Sequence, residues 1–208
     1  PGVPYLYDIS LCGAQQNFSR KEAGRRLGES SDEYEGMKII GNTFDYPFVH
    51  GKAIQAAGNY SFVSCSDEAV ENGTVTLEDY PVVDYILGME KEDPVHKVYY
   101  KTFSSAMQRI ITSYCQSGGN LFVSGAYVGS DMDSSQGNKE FIQNILKYRH
   151  GNSLKTDGDK IAVRGLGHTF TLPRLPNEQS YPVTSPDCIL PMSPAFPVMT
   201  YAIGNTPA

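Results

Sequence analysis

Asn120-Leu121-Phe122-Val123-Ser124-Gly125-Ala126-Tyr127-Val128-Gly129-Ser130-Asp131 is the stretch whose reading decides the fold. A short apolar run empties into small and polar residues, as a buried strand empties into a loop. Upstream, Phe103, Ala106, Met107, Ile110, Ile111 and Tyr114 recur at helical spacing, the stripe of a helix laid on a core. Thr102 is the expected N-cap, and Gly118 stands where a left-handed C-cap belongs. A helix turning tightly into an apolar strand is half of a parallel β-α-β crossover. Ligands of such sheets collect at the carboxyl ends of the strands, so the loop after Ser124 is the first candidate site.

Working outward, residues 37–40 read as a strand, 48–57 as a helix between Pro47 and Gly58, and 60–64 as a second strand. Residues 67–71 form at most a short helix, and 82–87 are a third apolar run rich in β-branched and aromatic residues. Residues 89–101 make a charged excursion long enough to lie over a site. A further helix is expected near 138–148, with an inner stripe at Phe141, Ile142, Ile145 and Leu146. This alternation predicts an α/β fold: a mostly parallel sheet with helices on both faces, in which 61–64, 82–87 and 121–124 are parallel neighbours.

Beyond His150 the character changes. Residues 160–163 and 168–172 read as short strands of a hairpin, and eight of the 13 prolines fall from Pro173 onward. Proline cannot donate to a sheet ladder, so the tail should be edge strand or wrapping arm, with 196–203 its one strand. The expected organisation is an N-terminal arm over 1–36, an α/β domain over 37–172, and a Pro-rich C-terminal arm over 173–208 packed on that domain.

Composition bounds the function. Hydrophobic residues at 40% and charged residues at 19% describe an ordinary globular chain of 208 residues with room for a sizeable core. A net charge of -6 with no basic cluster beyond Arg25-Arg26 argues against a nucleic-acid surface, and no apolar run reaches membrane-spanning length. The chain opens on Pro1 rather than Met, as a processed or excised piece of a longer chain would. Cys12, Cys65, Cys115 and Cys188 lack zinc-ribbon or redox spacing. Asn17, Asn59 and Asn72 begin glycosylation-type triplets.

The chemistry-bearing residues follow from the strand ends. Phe62-Val63-Ser64-Cys65 and Phe122-Val123-Ser124-Gly125 finish two strands alike, which would bring Ser64 and Ser124 to one rim. Ser124 lacks the flanking glycines of a nucleophile elbow. Cys65, between a strand and a possible helix start, is the better nucleophile on paper and needs a histidine base from His50, His96, His150 or His168. Paired acids could come from Asp45, Asp67, Glu90 and Asp131. The carboxylate pairs Asp131/Asp133 and Asp157/Asp159 do not continue into a calcium loop, and no glycine run has phosphate-cradle spacing. No metal or cofactor is therefore expected.

Several runs together resemble a known family: Asn42-Thr43-Phe44-Asp45-Tyr46-Pro47, His50-Gly51, Ser61-Phe62-Val63-Ser64, Val83-Asp84-Tyr85-Ile86-Leu87-Gly88 and Gly118-Gly119-Asn120-Leu121-Phe122-Val123-Ser124-Gly125-Ala126. They are similar to secreted bacterial proteins labelled xanthan lyase or N-acetylmuramoyl-alanine amidase, often carrying a golvesin-C-terminal-like domain. The resemblance implies a flavodoxin-like sheet of the class I glutamine-amidotransferase type and an extracytoplasmic location. It places Gly125 where that fold carries its nucleophile, so this chain departs from the catalytic pattern there. Two expectations follow. The first is a non-catalytic or carbohydrate-associated module of an extracytoplasmic polysaccharide- or cell-wall-processing protein, with a polysaccharide or peptidoglycan ligand and further domains of the same parent chain as partners. The second is a hydrolase or lyase using Ser64, Cys65, Ser124 and Asp131, with His50 or His168 as base and Gly125, Tyr127 and Glu90 on the rim.

Overall fold

The structure, a computed structural model, describes residues 46–88, 90–92, 101–154, 160–173 and 185–202. Expectations for 1–45, including the arm and the strand over 37–40, lie outside the described residues. The chain divides into two compact units, one built from Phe44–Gly88 with Phe103–Gly125, the other holding the described parts of Met89–Thr102 and Ala126–Ala208.

The first unit carries helices α1 (Tyr46–Ala57) and α2 (Asp67–Glu71), a 3-10 turn at Leu77–Asp79, strand β1 (Val82–Gly88), helix α3 (Ser105–Gln116) and strand β2 (Asn120–Gly125). β1 and β2 pair in parallel, with Asp84 opposite Phe122 and Ile86 opposite Ser124. The expected crossover is present. Its buried stripe is Phe103, Met107, Ile111 and Tyr114, each at most 2% exposed, while Ile110 sits on the flank.

The helix ends as its residues dictate. Ser104, not Thr102, is the N-cap, its Oγ accepting from Met107 N at 3.0 Å. At the other end Gly118 has φ +91°, Gly119 N donates to Tyr114 O at 3.0 Å, and Gly118 N to Cys115 O at 3.1 Å. These two hydrogen bonds close the last turn around a left-handed glycine. The Tyr114 hydroxyl, with its one proton shared between Tyr80 O (2.9 Å) and Asn120 O (3.2 Å), ties α3 to the start of both strands. A side chain at Gly119 would run into the Tyr114 ring.

The second unit begins with a 3-10 turn, Ser130–Ser134, and helix α4 (Gln136–Asn144), capped by Ser135. Phe141 and Ile142 are buried as expected, but the helix stops at Asn144 and Tyr148 already opens strand β3. β3 (Tyr148–Ser153) pairs antiparallel with β6 (Asp187–Pro191). β4 (Lys160–Gly165) and β5 (His168–Pro173) form the expected hairpin, and β7 (Met199–Tyr201) adds to the far side of β4. Leu154, Val163, Cys188 and Tyr201 form a buried cluster here, with Met199 packed on it.

The mostly parallel, flavodoxin-like sheet flanked by helices is therefore not the fold. Parallel pairing stops at two strands, and the other described sheets, of two and three strands, are antiparallel. The third expected parallel strand, over 60–64, is irregular. Tyr60, Phe62 and Val63 are 72%, 51% and 67% exposed, so the apolar residues that suggested a buried strand stay largely on the surface. A parallel sheet gains its stability by covering both faces. Here the register puts Val82, Asp84 and Ile86 on one face with Asn120, Phe122 and Ser124, and Val82 and Phe122 stay more than half exposed. The opposite face is covered: Tyr85 lies against Phe103 with ring centroids 5.7 Å apart.

Candidate functional site

On the open face of the β1–β2 pair, helix α1 brings His50 to Asp84. His50 Nδ1 lies 2.7 Å from Asp84 Oδ2, with both side chains about a quarter exposed, at 26% and 23%. An ionised carboxylate only accepts, so Nδ1 donates to it, and in the neutral imidazole Nε2 is then the acceptor nitrogen. Asp84 Oδ1 is buried and has no partner among the described residues, so the carboxylate directs its one hydrogen bond to the imidazole. The pair has the geometry that the base and its orienter take in a catalytic triad.

The adjoining residue supplies a surface. Gly51 is buried beneath the ring of Phe62; a Cβ there would come within 2.9 Å of Phe62 Cζ. Glycine at this helical position lets the ring rest on the backbone, with Phe62 still 51% exposed. The segment 60–66 therefore presents a supported aromatic plate, with Tyr60 two residues away at 72% exposure. Phe122, on the same sheet face as Asp84, adds a third exposed ring at 58%.

Of the residues expected at the site, Ser64, Cys65, Ser124, Gly125 and His50 fall in this unit, whereas Asp131, Tyr127 and Glu90 belong to the other. Ser64 and Cys65 are exposed on the irregular segment, and Cys65 is a free thiol. Ser124 and Gly125 are half-buried at the end of β2, in the loop-entry position their sequence suggested. Among the described residues no serine or cysteine is hydrogen-bonded to a histidine. His168 is exposed at the start of β5, with Phe170 6.1 Å away ring to ring. His96 lies outside the described residues.

Asp131 has a structural neighbourhood. It is 5% exposed; Oδ2 accepts from Thr102 N and Oγ1, both at 2.9 Å, and Oδ1 from Glu92 N at 3.0 Å. Lys101 Nζ donates to Asp131 O (2.8 Å), Glu92 Oε2 (3.1 Å) and Ser134 Oγ (3.1 Å). Both described ends of the 89–101 excursion thus close on Asp131. Tyr127 is half-buried, with the Lys91 ammonium 5.1 Å above its ring. Burial, then the Asp187 charge, pushes its phenol above its ordinary range.

The second unit holds another oriented histidine. His150 Nδ1 is 2.6 Å from Asp133 Oδ2, and Nε2, buried without a hydrogen bond, is 3.6 Å from Asp187 Oδ1. Asp187 accepts from Gly129 N (2.9 Å), Ser130 N (2.6 Å) and Ser153 Oγ (3.2 Å). Both acceptor oxygens are committed to joining β6 to the turn at Gly129 and to β3.

Sequence reasoning named His50 but missed Asp84 and Phe62. The signal for Asp84 was available: a carboxylate inside Val83-Asp84-Tyr85-Ile86-Leu87 needs a partner if any part of it is buried. Among the described residues no group of three or more His, Cys, Asp or Glu could hold a metal ion, and no helix is long and apolar enough to cross a membrane. No family model, no curated protein and no solved structure matches the chain.

Proposed function

We propose that this chain is a carbohydrate-associated module of an extracytoplasmic bacterial protein that processes polysaccharide or cell wall, and that it binds its glycan rather than cleaving it. The observation that carries the reading is the Phe62 ring, its Cζ end packed on Gly51, the residue after His50, with the ring still half exposed. A sugar presents an apolar face and a rim of hydroxyls. An exposed ring takes the first, and a polar pair held in one orientation takes the second. Resemblance to secreted proteins labelled xanthan lyase or N-acetylmuramoyl-alanine amidase supports the choice of ligand class.

The test is calorimetric titration of the chain with xanthan oligosaccharides and with peptidoglycan fragments. Phe62→Ala should weaken binding about tenfold, the roughly 1.4 kcal/mol expected of a central aromatic anchor. No binding to either class, or binding indifferent to Phe62, would remove the reading.

The His50–Asp84 geometry favours a second reading: a glycan- or peptidoglycan-acting hydrolase or lyase in which His50 Nε2 is the general base. A lyase needs a base at the site but no nucleophile. Turnover of either substrate class by the parent, abolished by His50→Gln and strongly reduced by Asp84→Asn, would establish this reading over the first.

A further inference from the structure

The second unit contains a groove unconnected with the His50–Asp84 pair. β3 and β6 begin and end together where Tyr148 faces Pro191, and the segment after β6 folds back on that end. The recess between them measures about 280 Å3. Leu146, Ile189, Pro191, Phe196 and Val198 give it apolar walls, and Lys147 is the one charged residue in its lining. Phe196 and Val198 are 75% and 54% exposed, an unusual outlay of apolar surface on a short proline-rich segment.

Lys147 sets this recess apart from a merely unfilled apolar surface. Its backbone lies in the left-handed region, φ +61°, which L side chains adopt at a cost and which glycine or asparagine would occupy more easily. Its carbonyl accepts from Met192 N at 2.8 Å, so the same residue anchors the segment that closes the groove. Among the described residues no carboxylate pairs with its ammonium, whereas Lys101 is held by Glu92 and Asp131. An apolar recess with one unpaired cation in its lining is complementary to a molecule with an apolar body and an anionic end.

We infer that the groove binds a small apolar acid, a short aliphatic or aromatic chain ending in a carboxylate, with Lys147 taking the acid group. The inference is independent of the glycan reading, since it uses different residues in a different unit.

Octanoate and octanol, titrated separately into the full chain by calorimetry, test it. Octanoate should bind one to one and about tenfold tighter than octanol, the difference one charge-assisted contact makes. In Lys147→Gly, which also relieves the left-handed backbone, thermal stability should be at least that of the parent while the preference for octanoate disappears. Lys147→Gln should lose the same preference with the backbone strain retained, and Val198→Trp should block both ligands by filling the groove. Equal binding of acid and alcohol by the parent would overturn the inference. So would a preference that survives in Lys147→Gly and Lys147→Gln, saturable octanoate binding untouched by Val198→Trp, or no saturable octanoate binding at all.

Discussion

Replacing Asp187 with alanine should remove one buried carboxylate from three donors at once. The side chain accepts from Gly129 N, Ser130 N and Ser153 Oγ, and Gly129 is itself buried. Deleting the acceptor leaves two backbone amides of a tight turn without partners. Each buried unpaired group costs about 1–3 kcal/mol, so the two together should cost about 2–6 kcal/mol. A domain of this size has about 5–15 kcal/mol in all, so Asp187→Ala should sit near the edge of folding. Asp187→Asn keeps one acceptor oxygen and should lose about half as much.

Urea unfolding followed by circular dichroism gives these differences. A second readout is the alkaline limb. The Tyr201 phenol is pushed up from 10.0 to about 12, by burial first and then by Cys188 and Asp187, and Tyr148 is raised by burial and then by Asp187. The folded chain keeps these protons where the unfolded chain has released them. That stability is complete below pH 10 and is lost as pH rises through about 12. Asp187→Asn removes the repelling charge, so phenolate absorbance should appear at lower pH than in the parent. An Asp187→Ala chain that unfolds within about 0.5 kcal/mol of the parent, the range of an ordinary surface change, would refute the assigned role of the carboxylate.

Two further substitutions probe single elements. Ile111→Ala should cost about 2–5 kcal/mol in urea unfolding, because Ile111 is fully buried under α3, and Ile110→Ala distinctly less, because Ile110 is only partly covered. Equal costs would mean that the helix faces the core along a different stripe. Leu166→Asn should raise the melting temperature by the equivalent of about 0.5–1 kcal/mol. Leu166 is 67% exposed at φ +52° in the two-residue turn of the β4–β5 hairpin, a conformation asparagine adopts more easily; a lower melting temperature would show that Leu166 makes a contact worth more than the strain.

The crossover from β1 through α3 to β2 was legible because several local signals agree there. An apolar stripe, a left-handed glycine and an apolar strand fall in order within two dozen residues. Even so, the cap moved by two positions. Thr102 has the right side chain, but its N–H and Oγ1 are both spent on Asp131, 29 residues away, which leaves Ser104 to begin the helix. The error in fold class has the same origin at larger scale. Residues 60–64 have the aromatic and β-branched content of a strand, yet pairing is decided by a neighbour with a free edge and by what covers the faces. Tyr148 to Ser153 reads as the end of a helix plus a polar loop, and becomes a strand because Asp187–Pro191 pairs with it from nearly forty residues downstream.

The candidate site shows why chemistry is harder to read from a chain than architecture. His50 could be named from its type, but its meaning depends on Asp84, 34 residues away on another element. In the sequence Phe62 reads only as part of an expected strand over 60–64. Its function in the proposed reading depends on Gly51, a residue whose relevant property is the side chain it lacks. Asp131 shows the converse. An acid in a loop after a central strand reads as available for catalysis, whereas Thr102, Glu92 and Lys101 surround it on every side. A polar residue is thus open to reaction only where its partners leave it an unspent atom. In the first unit His50 Nε2 is such an atom once Asp84 has taken Nδ1, and Asp84 Oδ1 and the exposed Cys65 thiol are others among the described residues. As glycan grip or as general base, it is the nitrogen that the oriented histidine offers.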